Sequence, residues 1–397
     1  MKTQAYSMVF DIVADKLIPH YRKFDVDNRM LFTGHSHQAW PDVAYEGQME
    51  AFEEAARLVD NKWEAAFHKT NILRRYLRDY YDDPDGQYSL ATSTHELVVK
   101  WLSALDLKNK PRLITTDSEF YTIHRQLKRL KEADIEVAEI PSLPLEGFAE
   151  RLEKTMTDKT SAVLISRVYF ESSLINREIR EAAELCRKYG VPMLIDDYHG
   201  TNVIPLSIRD EDLEDCYLLI GGYKYLQWGE GNCFLRYPHD CSLRPVVTGW
   251  FASFSTLSQP RHEYTVQYDV DQRFSGATYD SVSQFRAARV VEFFRDMNLS
   301  PPLLFENYRR QVSYLKECFL DLGIDPSIIT LKHEYPITDN GGFLALSSPR
   351  AGQIWKDLKE RGVSTDFRGD TLRLGPAPYV RGEDIEEFME VLKEVVS

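Results

Sequence analysis

The stretch Gly221-Gly222-Tyr223-Lys224-Tyr225-Leu226-Gln227-Trp228-Gly229-Glu230-Gly231 directly follows an apolar run, Tyr217-Leu218-Leu219-Ile220. The run has the length and composition of a buried β-strand, so Lys224 is predicted just beyond a strand end, where α/β sheets bind ligands. The glycines permit tight turns and close approach to a ligand. A lysine in a desolvated pocket can form an imine with a carbonyl compound. The alternative is an ordinary surface lysine in a glycine-containing turn, and other segments must decide between the two.

The alternation of strand and helix patterns predicts the fold class. Strand-like segments at residues 112–116, 161–166 and 191–195 alternate with helical patterns at 123–130, 146–154 and 178–189. This order is typical of a mostly parallel sheet covered by helices. The chain lacks G-x-G-x-x-G and G-x-x-x-x-G-K-[ST], so dinucleotide and P-loop sites lose their main support.

Two further patterns lie on either side of this region. After Pro41, apolar residues at spacings of three and four continue to Phe67 and predict one long helix, whose stripe packs in the core or in a subunit interface. After Pro301-Pro302 the pattern becomes helix, short strands and a final helix, which predicts a small α+β domain.

Length, charge and cysteine usage narrow the class of protein. The 397 residues fit one large and one smaller domain, and a net charge of -14 disfavours nucleic acid and anionic membranes as partners. We find no apolar run long enough to span a membrane and no signal peptide, which predicts a soluble cytoplasmic protein. The cysteines are odd in number, scattered and without a C-x-x-C pair, as expected for reduced thiols: Cys186, Cys216, Cys233, Cys241 and Cys318.

Several segments carry candidate site residues. Ser93 and Thr94 stand at a predicted helix start, which favours a phosphate, although Ser93 and Glu96 also have the spacing of a self-capped helix without a ligand. Asp196 ends a buried strand, and a carboxylate there needs a cation or hydrogen-bond donors. The turn-rich loop that holds His35, Ser36 and His37 is predicted to line a pocket; two histidines alone are too few ligands for a metal, and we predict no metal site.

Taken in chain order, these segments resemble the fold-type I pyridoxal 5′-phosphate (PLP) enzymes of the class V aminotransferase family, and most of all their kynureninase branch. The resemblance covers nearly the whole chain, and its strength lies in the order of motifs that are weak singly. The matching motifs are Ala91-Thr92-Ser93-Thr94-His95-Glu96, Glu119-Phe120-Tyr121-Thr122, Asp196 to His199, Tyr223 to Gly231, Gly249-Trp250, Phe274 to Thr278, Asp366 to Arg368 and Arg373 to Pro378.

The resemblance implies an α/β fold with a large domain, built on a mostly parallel seven-stranded sheet between helices, and a small C-terminal α+β domain. It places an N-terminal arm at residues 1–45, packed with the small domain and the active site, the large PLP-binding domain at 46–297 and the small domain at 298–397. It also implies a homodimer whose active sites are shared across the interface.

The resemblance further implies roles for individual residues. Lys224 would hold PLP as an imine and move a proton at the substrate α-carbon, while Asp196 would keep the pyridine nitrogen protonated. His199 would orient that carboxylate or cover the ring. The remaining implied ligands are Phe120 stacked on the ring, Ser93, Thr94 and Tyr223 at the phosphate, Trp250 and Thr278 reaching it from a neighbouring subunit, and Arg373 at the substrate carboxylate.

The implied activity is a PLP-dependent lyase or hydrolase that acts on an α-amino acid through an external aldimine and a quinonoid and cleaves at or beyond Cβ. An aminotransferase is the main alternative. A cysteine desulfurase would need a mobile loop thiol, and residues 333–350 contain none. A non-catalytic member of the fold would be expected to lack Lys224 or Asp196, and both are present.

Some positions depart from the kynureninase pattern. Gly222 stands where a hydroxyl residue is often found, and Glu230 stands where the branch tends to have proline. Tyr169 and Glu171 lie where the branch usually has asparagine and a basic residue. Glu171 and the histidine loop together suggest a pocket more polar than an aryl group requires.

Overall fold

The computed structural model describes residues 3–258 and 265–397. Eleven α-helices lie in this part of the chain: α1 (Thr3–Leu17), α2 (Val43–Leu58), α3 (Lys62–Tyr80), α4 (Thr94–Ser103), α5 (Tyr121–Lys131), α6 (Phe148–Thr155), α7 (Ile179–Tyr189), α8 (Val282–Asp296), α9 (Pro301–Asp321), α10 (Ala351–Glu360) and α11 (Gly382–Val396).

The same residues form thirteen β-strands: β1 (Met30–Leu31), β2 (Gln87–Ala91), β3 (Arg112–Thr116), β4 (Glu136–Ile140), β5 (Thr160–Ser166), β6 (Met193–Asp196), β7 (Tyr217–Gly221), β8 (Cys233–Tyr237), β9 (Thr330–Leu331), β10 (Leu344–Ser347), β11 (Val363–Ser364), β12 (Asp366–Arg368) and β13 (Thr371–Leu374).

The main sheet has seven strands in the order β2-β8-β7-β6-β5-β3-β4. Five neighbouring strands run parallel, namely β7, β6, β5, β3 and β4. Strand β8 pairs antiparallel with both β7 and β2. The prediction of a mostly parallel seven-stranded sheet is therefore confirmed. Because parallel strands end at one edge, the register brings Ser166 beside Asp196 and Asp196 beside Leu219.

Both faces of this sheet are buried, which explains its unbroken apolar strands. Side chains alternate between the faces, so Leu164 and Leu194 pack in one cluster with α4 and α5, while the adjacent Ile165 and Ile195 join the larger cluster on the opposite face. The sheet is thus held between two layers of helices, and its strand ends are fixed in position.

The C-terminal part forms a smaller antiparallel sheet, β12-β13-β10-β9, with helices α9, α10 and α11. This confirms the predicted α+β unit. The N-terminal segment joins it, because β1 pairs with β11 and Thr33 bridges to Gly375. The domain limits at residues 45 and 297 remain predictions.

The prediction of one long helix from Pro41 to Phe67 is wrong. Helix α2 ends at Leu58 and α3 begins at Lys62, and Val59 between them has a φ of 50°, which a helix does not permit. Both helices pack on α8, and this tertiary packing sets the break. Phe52 and Val59 from the predicted stripe are 71% and 70% exposed, so they do not belong to this chain's core.

Candidate active site

A cavity of about 250 Å³ opens at the carboxyl edge of the parallel strands. Its walls include Ser166 at the end of β5, Asp196 at the end of β6 and Lys224 after β7. The carboxyl edge is where open α/β sheets hold ligands.

Lys224 is buried within this cavity, with 6% of its surface exposed. Its Nζ lies 2.5 Å from His199 Nε2, 4.8 Å from the centre of the Tyr198 ring and 5.6 Å from that of Phe120. Burial, followed by the nearby positive charge of Arg373, lowers the pKa of Lys224 to about 7. A substantial fraction of this amine is therefore neutral and nucleophilic at neutral pH.

Asp196 lines the cavity floor. Its Oδ1 accepts a hydrogen bond from the Tyr198 backbone N–H at 2.9 Å, and burial raises its pKa to about 6. His199 hydrogen-bonds to Lys224 and not to Asp196. Burial, and then the charge of Lys224, holds the pKa of His199 well below its usual value, so its ring is neutral. A positively charged ligand group next to Asp196 would stabilise the carboxylate there.

The start of helix α4 forms another wall. Ser93 is the N-cap residue, and its Oγ accepts a hydrogen bond from the Glu96 N–H at 3.3 Å. Thr92 and Thr94 line the cavity beside it, as does Tyr223 from the opposite side. Hydroxyls and free N–H groups at the positive end of a ten-residue helix favour an anion such as a phosphate.

Arg373 lies behind the cavity wall, 3% exposed. Its Nε and Nη2 donate to both oxygens of Asp366 at 2.8 and 2.5 Å, and its Nη1 donates to the Phe170 carbonyl at 2.5 Å. Among the described residues, the remaining N–H of each terminal nitrogen has no acceptor. Arg373 therefore keeps one donor on Nη1 and one on Nη2, next to Phe170, which lines the cavity.

The loop that holds His35, Ser36 and His37 lies partly in the protein interior and partly at the cavity mouth. His35 is fully buried, and its Nε2 lies 3.1 Å from Asp366 Oδ1. Since a carboxylate only accepts, His35 carries its proton on Nε2. His37 is exposed and stacks on Tyr223 with ring centres 4.8 Å apart, and Ser36 Oγ lies 3.2 Å from its Nδ1. His37 thus flanks the cavity mouth, whereas His35 supports the Asp366–Arg373 pair.

Trp250 and Thr278 lie outside this cavity. Both are surface residues of the single chain, and the Trp250 side chain is 39% exposed. They contribute nothing to the site formed by their own chain.

Sequence reasoning missed Tyr198, whose ring covers one side of the Lys224 amine. Tyr198 packs so closely on Gly221 that a Cβ there would come within 1.7 Å of the ring. A glycine at the end of a β-strand, three residues before the lysine, was the available signal. The contact explains why this strand ends in glycine.

Glu119 and Ser166 were also missed. Ser166 lines the cavity, and its N–H and Oγ donate to the buried Glu119 carboxyl at 3.0 and 2.6 Å. Burial raises the pKa of Glu119 to about 7. No local pattern marks the pair, because the two residues come from different strand ends.

The structure also places the residues that depart from the kynureninase pattern. A Cβ at Gly222 would lie 2.7 Å from the Asn232 carbonyl oxygen, so a larger residue does not fit. Glu171 contacts Thr371 and Lys332 and does not line the cavity, whereas Glu230 does. The extra polar group of this pocket is therefore Glu230.

Asp197, which follows Asp196, is fully buried in a bidentate pair with Arg167, at 2.6 and 3.1 Å. Tyr81 also donates to it, at 2.7 Å. Asp197 thus anchors the strand end that carries Asp196 and His199.

Within residues 3–258 and 265–397, no cluster of three His, Cys, Asp or Glu side chains is arranged to hold a metal. In the same residues, no helix combines the length and the apolarity needed to cross a membrane.

Sequence comparison connects the chain with kynureninases. Residues 319–392 match the family model "Kynureninase C-terminal domain". A kynureninase from Bacillus cereus is 24% identical over 330 residues, covering 78% of this chain and 72% of the relative. A mitochondrial cysteine desulfurase from Candida albicans is 26% identical over 162 residues, covering 40% and 32% of the two chains.

Comparison with solved structures gives the fold. The complex of the cystine C–S lyase C-DES with cysteine persulfide has a TM-score of 0.79 at 16% identity, over 94% of this chain and 99% of that chain. A cysteine desulfurase from Thermococcus onnurineus has a TM-score of 0.77 at 16% identity, over 96% and 97%. The chain therefore has the fold of this cystine C–S lyase and this cysteine desulfurase, and its sequence is similar to those of kynureninases.

Proposed function

We propose that this protein, a PLP-dependent enzyme, is a kynureninase-like hydrolase that cleaves an α-amino acid between Cβ and Cγ. Water would add to a γ-carbonyl, so that its hydroxyl enters the released carboxylic acid and its proton completes alanine. The observation that carries the proposal is Lys224, which is buried at the sheet edge within hydrogen-bond distance of His199 and opposite Asp196. The kynureninase relatives support the choice of bond.

The residues present fit PLP. The Asp196 carboxylate faces the cavity with one protein hydrogen bond, leaving acceptor capacity for a protonated ring nitrogen. The start of α4 with Ser93 and Thr94 fits the phosphate, and Phe120 offers a ring face. PLP bound here would supply an electron sink for negative charge at the substrate α-carbon.

Lys224 and His199 would act together in removing the proton from the substrate α-carbon. In its neutral form, the Lys224 amine can accept a proton from the α-carbon. His199 Nε2 lies within hydrogen-bond distance of Nζ, which orients the amine. The rings of Phe120 and Tyr198 flank Nζ and keep bulk water away from it.

Arg373 would bind the substrate carboxylate through its two N–H groups that have no acceptor among the described residues. Asp366 fixes the orientation of the guanidinium. Burial alone would raise the pKa of Asp366, but hydrogen bonds from His35 and Arg373 hold it below its usual value. The carboxylate therefore stays charged and keeps the arginine in place.

The proposal includes a cytoplasmic homodimer with shared sites. Trp250 and Thr278 are exposed and lie outside the cavity of their own chain, so they would be available to complete a neighbour's phosphate site. The exposed apolar face of α2, with Met49 and Phe52, offers surface for a subunit contact. All five cysteines are free thiols, in keeping with a reducing compartment.

An aminotransferase is the second candidate, since Lys224 and Asp196 would serve it equally. A desulfurase that uses a protein thiol has less support. Cys318 lies within helix α9, and Cys233 is a buried residue of strand β8.

The experiment combines spectroscopy with product analysis. The purified holoprotein should show a visible absorbance band from PLP bound to Lys224. Incubation with kynurenine, 3-hydroxykynurenine and other amino acids should release alanine, while keto acid and sulfide are assayed in parallel. Exclusive formation of keto acid would identify an aminotransferase and refute the hydrolase.

Lys224→Ala tests the imine directly. The variant should lose the visible band and all turnover while its circular dichroism stays unchanged. Lys188→Ala, which removes an exposed lysine on helix α7, is the matched control and should keep both. An unaltered band in Lys224→Ala would contradict the assignment.

A further inference from the structure

The mouth of the cavity carries a carboxylate that cofactor binding does not use. Glu230 lines the cavity, and 62% of its side chain is exposed. In the part of the chain that the structure describes, no group hydrogen-bonds to its carboxylate. His37 Nε2 lies 3.7 Å from this carboxylate.

His37 does not neutralise this carboxylate. Its ring stacks on Tyr223 at an interplanar angle of 16°. Burial lowers the pKa of His37, more than Glu230 raises it, so the imidazole is neutral at neutral pH. Among the described residues, the Glu230 carboxylate is therefore left without a charged ion-pair partner, and the nearby Arg286 donates to the Glu230 backbone carbonyl instead.

A hydrogen bond holds the backbone of Glu230 in place. It stands between Gly229 and Gly231, whose φ angles are 69° and 88°. Arg286 Nη2 donates to the Glu230 carbonyl at 2.6 Å, and the guanidinium of Arg286 stacks on Trp40 at 4.4 Å. A carboxylate on a fixed backbone with free acceptor oxygens is suited to recognise a ligand group.

The groups deeper in the cavity already have partners or assigned tasks. Lys224 and Asp196 serve the cofactor, and Arg373 serves the substrate α-carboxylate. We therefore assign Glu230 to the end of the substrate side chain that lies farthest from the α-carbon. An acceptor-only carboxylate pairs with N–H donors and disfavours acidic groups.

We propose that Glu230 is a specificity-determining residue that selects α-amino acids whose side chain ends in an N–H donor, as an ammonium or an amine. This inference rests on the proposed function, because it takes the cavity as the amino-acid site. It goes further by naming the substrate class.

The test measures the binding of two matched pairs of amino acids to the holoenzyme, by rapid-mixing spectral titration before turnover. Ornithine is compared with norvaline, and kynurenine with its analogue that lacks the aryl amine. Wild-type protein should bind the donor-bearing member of at least one pair about tenfold more tightly, as expected for a hydrogen bond to a charged group. The pair that shows the preference tells whether the donor is an ammonium or a neutral amine.

Glu230→Ala should abolish that preference, and Glu230→Gln should reduce it, with circular dichroism and PLP content unchanged. Glu132→Gln is the matched control, because Glu132 is 63% exposed beside Arg129 on helix α5. It should bind like wild type. A wild-type protein that prefers neither donor, or a Glu230→Ala variant that keeps the preference, would overturn the inference.

The binding assay separates this inference from the reaction. If donor-bearing amino acids bind selectively through Glu230 but no alanine forms, the hydrolase proposal fails and the specificity assignment stands. A different result is that alanine forms from kynurenine, that kynurenine and its analogue bind with equal affinity, and that Glu230→Ala changes neither result. The hydrolase then stands and the specificity assignment fails.

Discussion

The buried pair between Asp197 and Arg167 offers a sharp test of how this fold supports its site. Asp197→Asn keeps the volume of the side chain but removes the negative charge. Arg167 would remain buried, with 5% of its side chain exposed, and would retain the Ile204 carbonyl at 2.8 Å as an acceptor. Breaking one side of a buried ion pair costs about 3–5 kcal/mol.

The chain contains a control with the same geometry on its surface. Arg187 donates to both oxygens of Asp215 at 2.8 and 3.0 Å, as Arg167 does to Asp197, but the two side chains are 45% and 51% exposed. Water and salt screen this pair, so Asp215→Asn should cost at most about 1 kcal/mol. Burial is therefore the main difference between the two variants.

Thermal unfolding of both variants, followed by circular dichroism at one scan rate, provides the measurement. With an unfolding entropy of about 2.1 cal/mol/K per residue, a loss of 3–5 kcal/mol lowers the Tm of a chain this long by about 4–6 °C. Asp215→Asn should lower it by about 1 °C or less. Equal shifts in the two variants would refute the argument that burial makes Asp197 an anchor of the strand end.

Two pH effects follow from the buried bases. Because burial and Arg373 lower the pKa of Lys224 to about 7, PLP uptake by the apoprotein should rise with pH through about 7. Arg373→Met should move the midpoint of this rise upward. Uptake that does not change between about pH 6 and about pH 8 would contradict this prediction. Burial lowers the pKa of His35 from 6.5 to about 4, so below pH 6.5 the unfolded chain binds a proton that the folded chain does not. The free energy of unfolding should therefore fall as pH drops from about 6.5 to about 4. At about 1.4 kcal/mol per pKa unit, denaturant titrations of His35→Gln should show a loss that is smaller by roughly 3 kcal/mol. Exposed His124→Gln is the control, and a His35→Gln profile identical to it would exclude His35 as a cause.

Local patterns predicted most of the sheet and the location of two residues of the site. The unbroken apolar strands identified the parallel sheet because both of its faces are buried. The same strands predicted where Lys224 and Asp196 would lie, since a polar residue that directly follows a buried strand is at the sheet edge. The small domain was predicted in the same way, from strand-like segments between helices.

Patterns along the chain failed where the outcome depends on a distant segment. The apolar spacing from Pro41 to Phe67 suits one helix, but packing of α2 and α3 on α8 breaks it at Val59. Glu171 was expected to make the pocket polar, yet it turns to Thr371 in the small sheet. Such contacts bring together residues far apart in sequence and leave no local periodicity.

Sequence by itself determined the strand ends, and with them the position of Lys224 and Asp196, because a short unbroken apolar run is enough to predict a buried strand. Tertiary structure alone decided what surrounds them. It placed His199 on the Lys224 amine, engaged Arg373 with Asp366, and left the Glu230 carboxylate free at the cavity mouth. These contacts depend on how segments that are distant in sequence meet, and burial at that meeting point lowers the pKa of both Lys224 and His199.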